Sequence, residues 1–309
     1  MKPILKKGKP DQVDNYRPIS LLSVFAKVFE MAMYNRIFTE TKYLISPRQH
    51  GFYSGRSTVT NLACFMQYTS VALNSQMQVD AVYTDFSKAF DRLDHSILLS
   101  KLSAMGFDVE LCKFINSYLS NRHFYVEHKG HTSNEFVATS GAPQGSNLAP
   151  LLFSLFVNDI TEKLNSNTLL FADDLKLYRT IDSTVDCDLL QRDLDDLNQW
   201  CTDNRLPLNI NKCKVMTFTL KKNQCIYQYG IQFTLLERVE EFRDLGVYFD
   251  SKLSFNTHVH KTREASIRMM GFVLRTCKHF DNICSLKVLP TSLIFKTITN
   301  NNQVYLIKI

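Results

Sequence analysis

Apolar residues recur along the chain with two spacings, one typical of helices and one typical of strands. Apolar positions three and four residues apart indicate an amphipathic helix, whereas alternation or a short apolar run indicates a strand. The first spacing predicts helices at 19–43 (with Ser20 or Ser23 as its cap), 57–75, 95–105, 109–119, 148–164, 185–204 and 256–278. The second predicts strands at 79–86, 123–129, 135–139, 214–220, 226–233 and 242–249. Because the two kinds of element mix without regular alternation, we expect an α+β fold with a largely antiparallel sheet.

The segment 169–178, LLFADDLKLY, places the adjacent carboxylates of Asp173 and Asp174 inside an otherwise apolar run. Neighbouring side chains on a strand point to opposite faces, and an unpaired buried charge is costly. We therefore predict two short strands with the aspartates at the turn between them, where both can face a cleft. A divalent cation would supply the missing positive charge there, since it prefers oxygen ligands. A plain solvated turn is the alternative.

A third carboxylate is offered by the segment 82–95, VYTDFSKAFDRLDH, in which Asp85 ends a predicted strand. In two-metal phosphoryl chemistry, ions about 3.5–4 Å apart activate the attacking oxygen and stabilise the leaving one, so carboxylates from separate strands must converge. Asp85, Asp173 and Asp174 form the natural trio. Asp85 alone would also serve as a helix cap.

A loop of unusual composition, SGAPQGS at 140–146, precedes the apolar segment 148–164. Two glycines and a proline allow its backbone to approach a ligand closely, with the side chain of Gln144 presented from the loop. A plain turn leading into a helix would account for the same residues.

Composition and cysteine usage narrow the class of protein. With 309 residues, 45% of them hydrophobic, the chain can bury a large core. No window approaches the ~18 apolar residues of a membrane span, and the N-terminus lacks a secretory apolar core. We expect an intracellular protein, nuclear or cytoplasmic and not secreted, without a membrane partner. Eight cysteines occur singly, which favours reduced thiols without a disulfide partner over a zinc module.

The net charge of +6 is unevenly distributed. Residues 1–60 carry ten Lys or Arg against four Asp or Glu, residues 61–249 carry 17 against 23, and residues 250–309 carry nine against three. An unevenly charged solvated surface would produce this pattern. Alternatively, the basic ends hold a polyanion while the acidic middle holds metal.

Seven sequence blocks, taken in this order, resemble the reverse transcriptase domain of non-LTR (LINE-type, jockey-like) retrotransposons across residues 3 to about 280. The blocks are NYRPISLLSVFAKVFE (15–30), QHGFYSGRSTVTNL (49–62), YTDFSKAFDRLDH (83–95), GAPQGSNLAPLLFSLFVNDI (141–160), FADD (171–174), LPLNINKCKVMTF (206–218) and LGVYFD (245–250). The resemblance implies a right-hand polymerase fold with an antiparallel palm sheet. Its expected parts are fingers (1–75), a palm (76–235, with motifs at 83–95, 141–160, 171–174 and 206–218), a primer-grip region (236–255) and a partial thumb (256–309).

The same resemblance implies an RNA-directed DNA polymerase that extends a DNA primer on an RNA template with deoxynucleoside triphosphates. Two magnesium ions are expected, with manganese as a possible substitute. Asp85 and Asp173 would ligate both ions, and Asp174 would complete the acidic site. Lys212 matches the position proposed to protonate departing pyrophosphate, although a plain surface lysine explains it equally well.

The resemblance assigns nucleotide binding to Arg17, Lys6, Lys7, Phe90, Gln144 and Gly145. Arginine suits a phosphate clamp because its contacts are charge-assisted and often bidentate. Phe90 would crowd a ribose 2′-OH; core packing is the alternative for this ring. Gln144, beside Gly145, would position the nucleotide and the template base.

Template or primer contacts are expected of Gln49, Arg56 and Gly246. For Gln49 and Arg56, a role in bracing the fingers remains equally open, while Gly246 belongs to the expected primer-supporting hairpin. Asp91 either touches metal or braces the palm, and the resemblance favours bracing.

Two departures from the family pattern leave the activity open. The chain begins almost inside the first fingers block, and residues 295–309 do not follow the pattern. We therefore expect a domain fragment without endonuclease activity. An inactive nucleic-acid-binding remnant is the alternative, and a two-metal nuclease is a third hypothesis, for which the 141–145 loop and Phe90 have no evident purpose.

Overall fold

The computed structural model describes residues 1–6 and 8–276. Lys7 and residues 277–309, which include much of the expected thumb, lie outside the described residues.

Eight α-helices and fifteen strands are found among the described residues. The helices are α1 Val24–Thr41, α2 Thr58–Asn74, α3 His95–Ala104, α4 Val109–Leu119, α5 Ala149–Phe156, α6 Ile160–Lys163, α7 Thr184–Asp203 and α8 Asn256–Thr276. The strands are β1 Lys2–Leu5, β2 Tyr16–Ile19, β3 Gln78–Asp85, β4 Arg122–Phe124, β5 Glu127–His128, β6 His131–Thr132, β7 Phe136–Ala138, β8 Asn167–Phe171, β9 Asp174–Ile181, β10 Lys214–Phe218, β11 Gly230–Ile231, β12 Thr234–Leu235, β13 Glu237–Arg238, β14 Glu241–Asp244 and β15 Val247–Asp250. Short 3-10 helices lie at Val13–Asn15, Ala89–Asp91 and Ile210–Lys212.

Helix starts follow the capping residues in the sequence. The Ser23 hydroxyl accepts a hydrogen bond from the Ala26 amide at 3.2 Å, so α1 begins after Ser23. Ser57 and Thr60 form a capping box at the start of α2. The predicted helix at 19–43 was wrong over its first residues, because 16–19 pair with residues 2–5 as strands β1 and β2.

Three apolar runs fold differently from their predicted elements. The predicted helix 148–164 is two helices, α5 and α6, and in the break between them Asn158 exchanges hydrogen bonds with Leu44 and Ser46 at 2.8 and 2.7 Å. The predicted strand 226–233 is in strand conformation only at Gly230–Ile231. The predicted strand 242–249 is the hairpin β14–β15.

The central sheet has five strands in the order β13–β10–β3–β9–β8. β10 pairs parallel with β13, and the other neighbours pair antiparallel. The predicted α+β class with a largely antiparallel sheet is confirmed.

Each face of this sheet is covered by a separate apolar cluster. One cluster joins Val82, Leu175 and Leu177 of the sheet to helices α3, α5 and α7. The other joins Ala81 and Tyr83 to helix α2 and to the hairpin β14–β15. Since side chains alternate along a strand, Asp85 shares the face of Ala81 and Tyr83. The hairpin therefore packs on the same side of the sheet as this aspartate.

Within the described part of the chain, no helix combines the length and apolar character that crossing a membrane requires. The cysteines described there, Cys64, Cys112, Cys187, Cys201, Cys213 and Cys225, are free thiols.

Candidate active site

Asp85 and Asp174 face each other across two neighbouring strands. Asp85 is the last residue of β3, and Asp174 is the first residue of β9, directly opposite in the antiparallel register. Directly opposed residues have Cβ atoms about 4.5–5.5 Å apart. Asp173, directly before Asp174, is the second residue of the two-residue turn that joins β8 to β9. The three carboxylates that the sequence grouped therefore meet at one end of the central sheet.

The turn at residues 172–173 is fixed by contacts with the segment 48–51. Ala172, the first turn residue, has a positive φ of 57°. The Gln49 side-chain oxygen accepts hydrogen bonds from the amides of Ala172 at 3.2 Å and Gly51 at 2.8 Å. A Cβ atom on Gly51 would lie 2.2 Å from the Ala172 nitrogen, so this backbone contact requires glycine. The turn that carries Asp173 is thus fixed by contacts from outside its own hairpin.

The aspartates of the site raise one another's pKa values. Asp174 remains accessible to solvent, yet it lies in a cleft surrounded by protein. Desolvation in this cleft and the neighbouring charges of Asp173, Asp244 and Asp85 raise the pKa of Asp174 to about 7. Desolvation, followed by the charge of Asp85, also raises the pKa of Asp173. A cluster of this kind favours any cation that can enter it.

Two basic residues already oppose the acidic cluster. The Lys212 ammonium lies 2.8 Å from a carboxylate oxygen of Asp85. This position follows from the 3-10 helix Ile210–Lys212, which is anchored by the Asn209 amide to the Asp85 carbonyl at 2.7 Å. The charges of Arg17 and Lys212 both act to lower the pKa of Asp173. Lys212 and Arg17, predicted from separate sequence blocks, therefore lie near the aspartates.

The donor set suits a hard divalent cation. Three carboxylates offer the oxygen ligands that Mg²⁺ prefers, and an added cation would relieve their mutual repulsion. Among the described residues, no group of three or more His, Cys, Asp or Glu side chains that could hold a metal ion is found. Lys212 supplies part of the positive charge in the present arrangement. The carboxylates thus suit a divalent cation by their chemistry, while their side chains are not gathered into a metal site among the described residues.

A cleft of about 460 Å³ runs from the aspartates to the β14–β15 hairpin. Its walls include Asp85, Asp174 and Lys212 on one side and Phe242 and Arg243 of the hairpin on the other. The cleft is partly open to solvent, so a ligand can reach Asp85 and Asp174 from outside.

The 141–145 loop is fixed against the short helix Ala89–Asp91. The Gln144 side chain donates a hydrogen bond to the Asp91 carboxylate at 2.9 Å, and the Gln144 carbonyl accepts one from the Ser20 amide at 2.8 Å. Gly141 has a φ of +83°, and a Cβ there would lie 2.7 Å from the Asp91 carbonyl oxygen. Asp91 therefore braces this loop through Gln144.

Phe90 lies between the loop and the core. Its ring stacks on Phe153 with centroids 4.9 Å apart and meets the edge of Phe52 at 6.1 Å. The side chain is only partly buried, so one part packs and another remains accessible. Both the packing role and the sugar-contacting role are compatible with this position.

The remaining predicted site residues occupy three places. Arg17 is the exposed residue of the otherwise half-buried strand β2, and Lys6 is exposed directly after the paired strand β1. The Arg56 guanidinium donates to the carbonyls of Ser46 and Gln49 at 2.7 and 2.6 Å, which is a bracing contact. Gly246 lies in the β14–β15 turn with a φ of +97°.

Two contacts near the site were missed by sequence reasoning. The Asn61 side chain donates a hydrogen bond to the Leu170 carbonyl at 3.1 Å, just before the aspartate turn. Lys176 and Asp244 form a buried ion pair between β9 and the hairpin. A lysine inside the apolar run LLFADDLKLY was the available signal for the second contact.

The site thus lies on a largely antiparallel sheet, with its carboxylates at the turn of the edge hairpin β8–β9 and at the end of the adjacent strand β3. The family described as "Reverse transcriptase (RNA-dependent DNA polymerase)" matches residues 4–274. The chain belongs to this family.

Curated relatives confirm the resemblance drawn from the sequence. The RNA-directed DNA polymerase from mobile element jockey of Drosophila funebris is 32% identical over 268 residues, which cover 83% of this chain and 29% of that protein. The probable RNA-directed DNA polymerase from transposon BS of Drosophila melanogaster is 31% identical over 281 residues, covering 86% of this chain and 31% of the relative. The chain thus spans 29–31% of the length of these two relatives.

Solved structures support the fold. Apo telomerase from Candida tropicalis aligns with a TM-score of 0.53 at 9% identity, covering 89% of this chain and 50% of that chain. A form of that enzyme truncated from its C-terminal domain aligns with a TM-score of 0.52 at 10% identity, covering 75% and 46%. The fold is shared with these enzymes despite the low identity.

Proposed function

We propose that this chain is the RNA-directed DNA polymerase domain of a non-LTR retrotransposon, which extends a DNA primer on an RNA template inside the cell. The observation that carries this proposal is the direct opposition of Asp85 and Asp174 across β3 and β9, with Asp173 in the adjoining turn. Such a set of carboxylates is what two-metal nucleotidyl transfer requires.

In this proposal Asp85, Asp173 and Asp174 hold two divalent cations, magnesium by preference and manganese as a substitute. When bound, the cations neutralise the triphosphate and stabilise the attacking and leaving oxygens. The primer 3′-oxygen forms a bond to the α-phosphorus as the bond to the β-phosphate oxygen breaks, and pyrophosphate leaves. The 3′-hydroxyl proton passes to solvent.

The surrounding residues would orient this reaction. Arg17, with Lys6, would hold the triphosphate, because Arg17 is exposed on β2 and its charge acts on Asp173, while Lys6 is exposed directly after β1. Lys212 would give its proton to the departing pyrophosphate oxygen. Gln144 and Gly145 would line the nucleotide site, while Phe90 would crowd a 2′-hydroxyl. Positioning and charge neutralisation supply most of the rate in such reactions.

Primer extension tests the proposal. Purified protein with poly(rA)/oligo(dT), dTTP and Mg²⁺ is expected to extend the primer, and Asp173→Ala is expected to abolish extension. Asp182→Ala is the matched control, because Asp182 is an exposed aspartate directly after the far end of β9. Equal incorporation by wild type and Asp173→Ala would contradict the proposal.

Nucleic-acid binding without turnover is the second candidate. The Lys212–Asp85 ion pair favours it, because one metal ligand already has a counter-charge. This candidate predicts salt-sensitive RNA binding but no extension with any divalent metal. Templated synthesis in the assay above would exclude it.

A further inference from the structure

We propose that the buried ion pair between Lys176 and Asp244 is the positioning contact that fixes the hairpin Glu241–Asp250 beside the three aspartates. This inference rests on the proposed polymerase function, since the hairpin would support the primer end. Both residues act through the hairpin, and neither is expected to touch the reacting atoms.

The register places this pair directly behind the acidic cluster. Lys176 lies two residues after Asp174 on β9 and therefore on the same face of the sheet. Its cross-strand neighbour is Tyr83, which lies two residues before Asp85 on β3. On this face of the sheet, the cross-strand pair Lys176–Tyr83 is thus the layer of side chains next to the pair Asp85–Asp174.

The hairpin contacts both residues of this layer. Asp244, the last residue of β14, forms the ion pair with Lys176. Phe242, two residues earlier on the same strand, stacks on Tyr83 with ring centroids 4.0 Å apart and an interplanar angle of 19°. Because Phe242 also lines the cleft with Asp85, a shift of the hairpin would move the wall that faces the aspartates.

Because the Lys176–Asp244 ion pair is buried, it favours one position of the hairpin. Lys176 is 4% exposed and Asp244 is 5% exposed, and the Lys176 ammonium lies 4.9 Å from the centroid of the Phe65 ring. A charge in such apolar surroundings is tolerated only when a partner compensates it. Any hairpin position that separates Asp244 from Lys176 leaves both charges buried and unpaired. The pair therefore favours one hairpin position over its neighbours.

A second lysine–aspartate pair provides the matched control. Lys101 lies 2.7 Å from Asp159, and its ammonium also lies over the rings of Phe156 and Trp200. Phe156 and Trp200 belong to the apolar cluster on the opposite face of the sheet, so this pair lies away from the hairpin. Its loss should affect stability without a specific effect on the hairpin.

The test combines hydrogen exchange with steady-state kinetics on the full chain. In Lys176→Met and in Asp244→Asn, amides within 241–250 are expected to exchange about tenfold faster, while those of 78–85 stay at the wild-type rate. The KM for poly(rA)/oligo(dT) is expected to rise about tenfold in both variants, with the KM for dTTP within about twofold of wild type. Lys101→Met should lower the melting temperature and leave both hairpin exchange and primer KM unchanged.

The double variant Lys176→Met/Asp244→Asn shows whether the effects of the two residues depend on each other. It leaves no unpaired charge, so we expect hairpin exchange and primer KM to rise by about threefold, less than in either single variant. If the single variants do not fold, the test rests on the double variant alone. Hairpin exchange and a primer KM equal to those of wild type in the double variant would then overturn the inference.

Hairpin exchange at the wild-type rate in both folded single variants would also overturn the inference. So would changes in exchange and primer KM in the double variant that equal the sum of the changes in the two single variants. Failure of the proposed polymerase function is distinguishable, because wild type would then show no extension while the exchange measurements still report on the ion pair.

Discussion

Strand β3 carries two aspartates in opposite situations, Asp80 near its start and Asp85 at its end. Asp80 is fully buried, with a relative exposure of 0%. Its carboxylate accepts hydrogen bonds from the side chains of Gln78 at 3.0 Å, Thr217 at 2.8 Å and Tyr229 at 2.9 Å. The Arg238 guanidinium lies 3.7 Å away as an ion-pair partner. Asp85 instead opposes Asp174, and Lys212 is its cationic partner.

The difference teaches how one fold makes the same group structural or reactive. Around Asp80 the donors come from β3 itself, from the neighbouring strand β10 and from Tyr229 before β11, so the carboxylate is satisfied by fixed partners. Around Asp85 the neighbouring hairpin supplies two more carboxylates, so a positive ligand is needed to complete the site. Five residues along one strand separate these two outcomes.

The largest expected effect comes from removing charge at the reactive end. Asp85→Asn is expected to reduce primer extension about a thousandfold or more, because the proposed function assigns this carboxylate to metal binding. Stability should change by less than about 1 kcal/mol, since Lys212 is exposed and such ion pairs contribute little. Primer extension and urea unfolding measure the two quantities. Extension within tenfold of wild type would remove Asp85 from the site.

The same substitution at the satisfied end should have the reverse effect. Asp80→Asn leaves the buried side of Arg238 without its counter-charge, and breaking a buried pair costs about 3–5 kcal/mol. Urea unfolding is expected to show this loss, while the extension rate per folded molecule stays near wild type. A stability loss below about 1 kcal/mol would mean that the Asp80 network is not structural.

Substitution of Gln49, which supports the turn at 172–173, is expected to lower both stability and primer extension by an intermediate amount. Gln49→Leu removes the acceptor for the Ala172 and Gly51 amides, which should cost about 1–3 kcal/mol and lower extension about tenfold. Gln191→Leu is the matched control, because Gln191 makes the same kind of bracing contact with the Gly230 backbone at 2.9 Å in both directions. Equal losses of extension in the two variants would indicate a general folding effect.

The smallest expected effect is the pH dependence of stability without metal. The pKa of Asp174 rises from 3.8 to about 7 in the folded protein, so folding favours the protonated form. Stability from this group is fully present below about pH 4 and is lost as the pH rises toward 7. Since solvent screens the exposed carboxylate, we expect the loss to be about 1 kcal/mol.

Asp174→Asn isolates this contribution. The variant should match wild type near pH 4 and exceed it by about 1 kcal/mol near pH 8 without metal, and added Mg²⁺ should narrow the gap. Urea unfolding at the two pH values measures the difference. A variant that is less stable than wild type at the higher pH would contradict the sign.

Local sequence signals predicted much of the fold. Helix α4 begins and ends where the apolar spacing indicated, and α2 begins after its Ser57 cap. The apolar runs at 148–164 and 242–249 misled, because a run of apolar residues does not show where a turn interrupts it. In the second run the turn falls at Leu245–Gly246, where both residues have positive φ, 44° and 97°.

By itself, the sequence determined the chemistry of the site: which carboxylates are present, their place at a strand end and a hairpin turn, and the order of blocks that identifies the family. Only the tertiary structure decided what supports them. Gln49 lies 123 residues from Ala172, and Lys176 lies 68 residues from Asp244. Periodicity reports which face of an element is buried, but a buried polar group is stabilised by a partner from another element, and that partner is chosen when the elements pack.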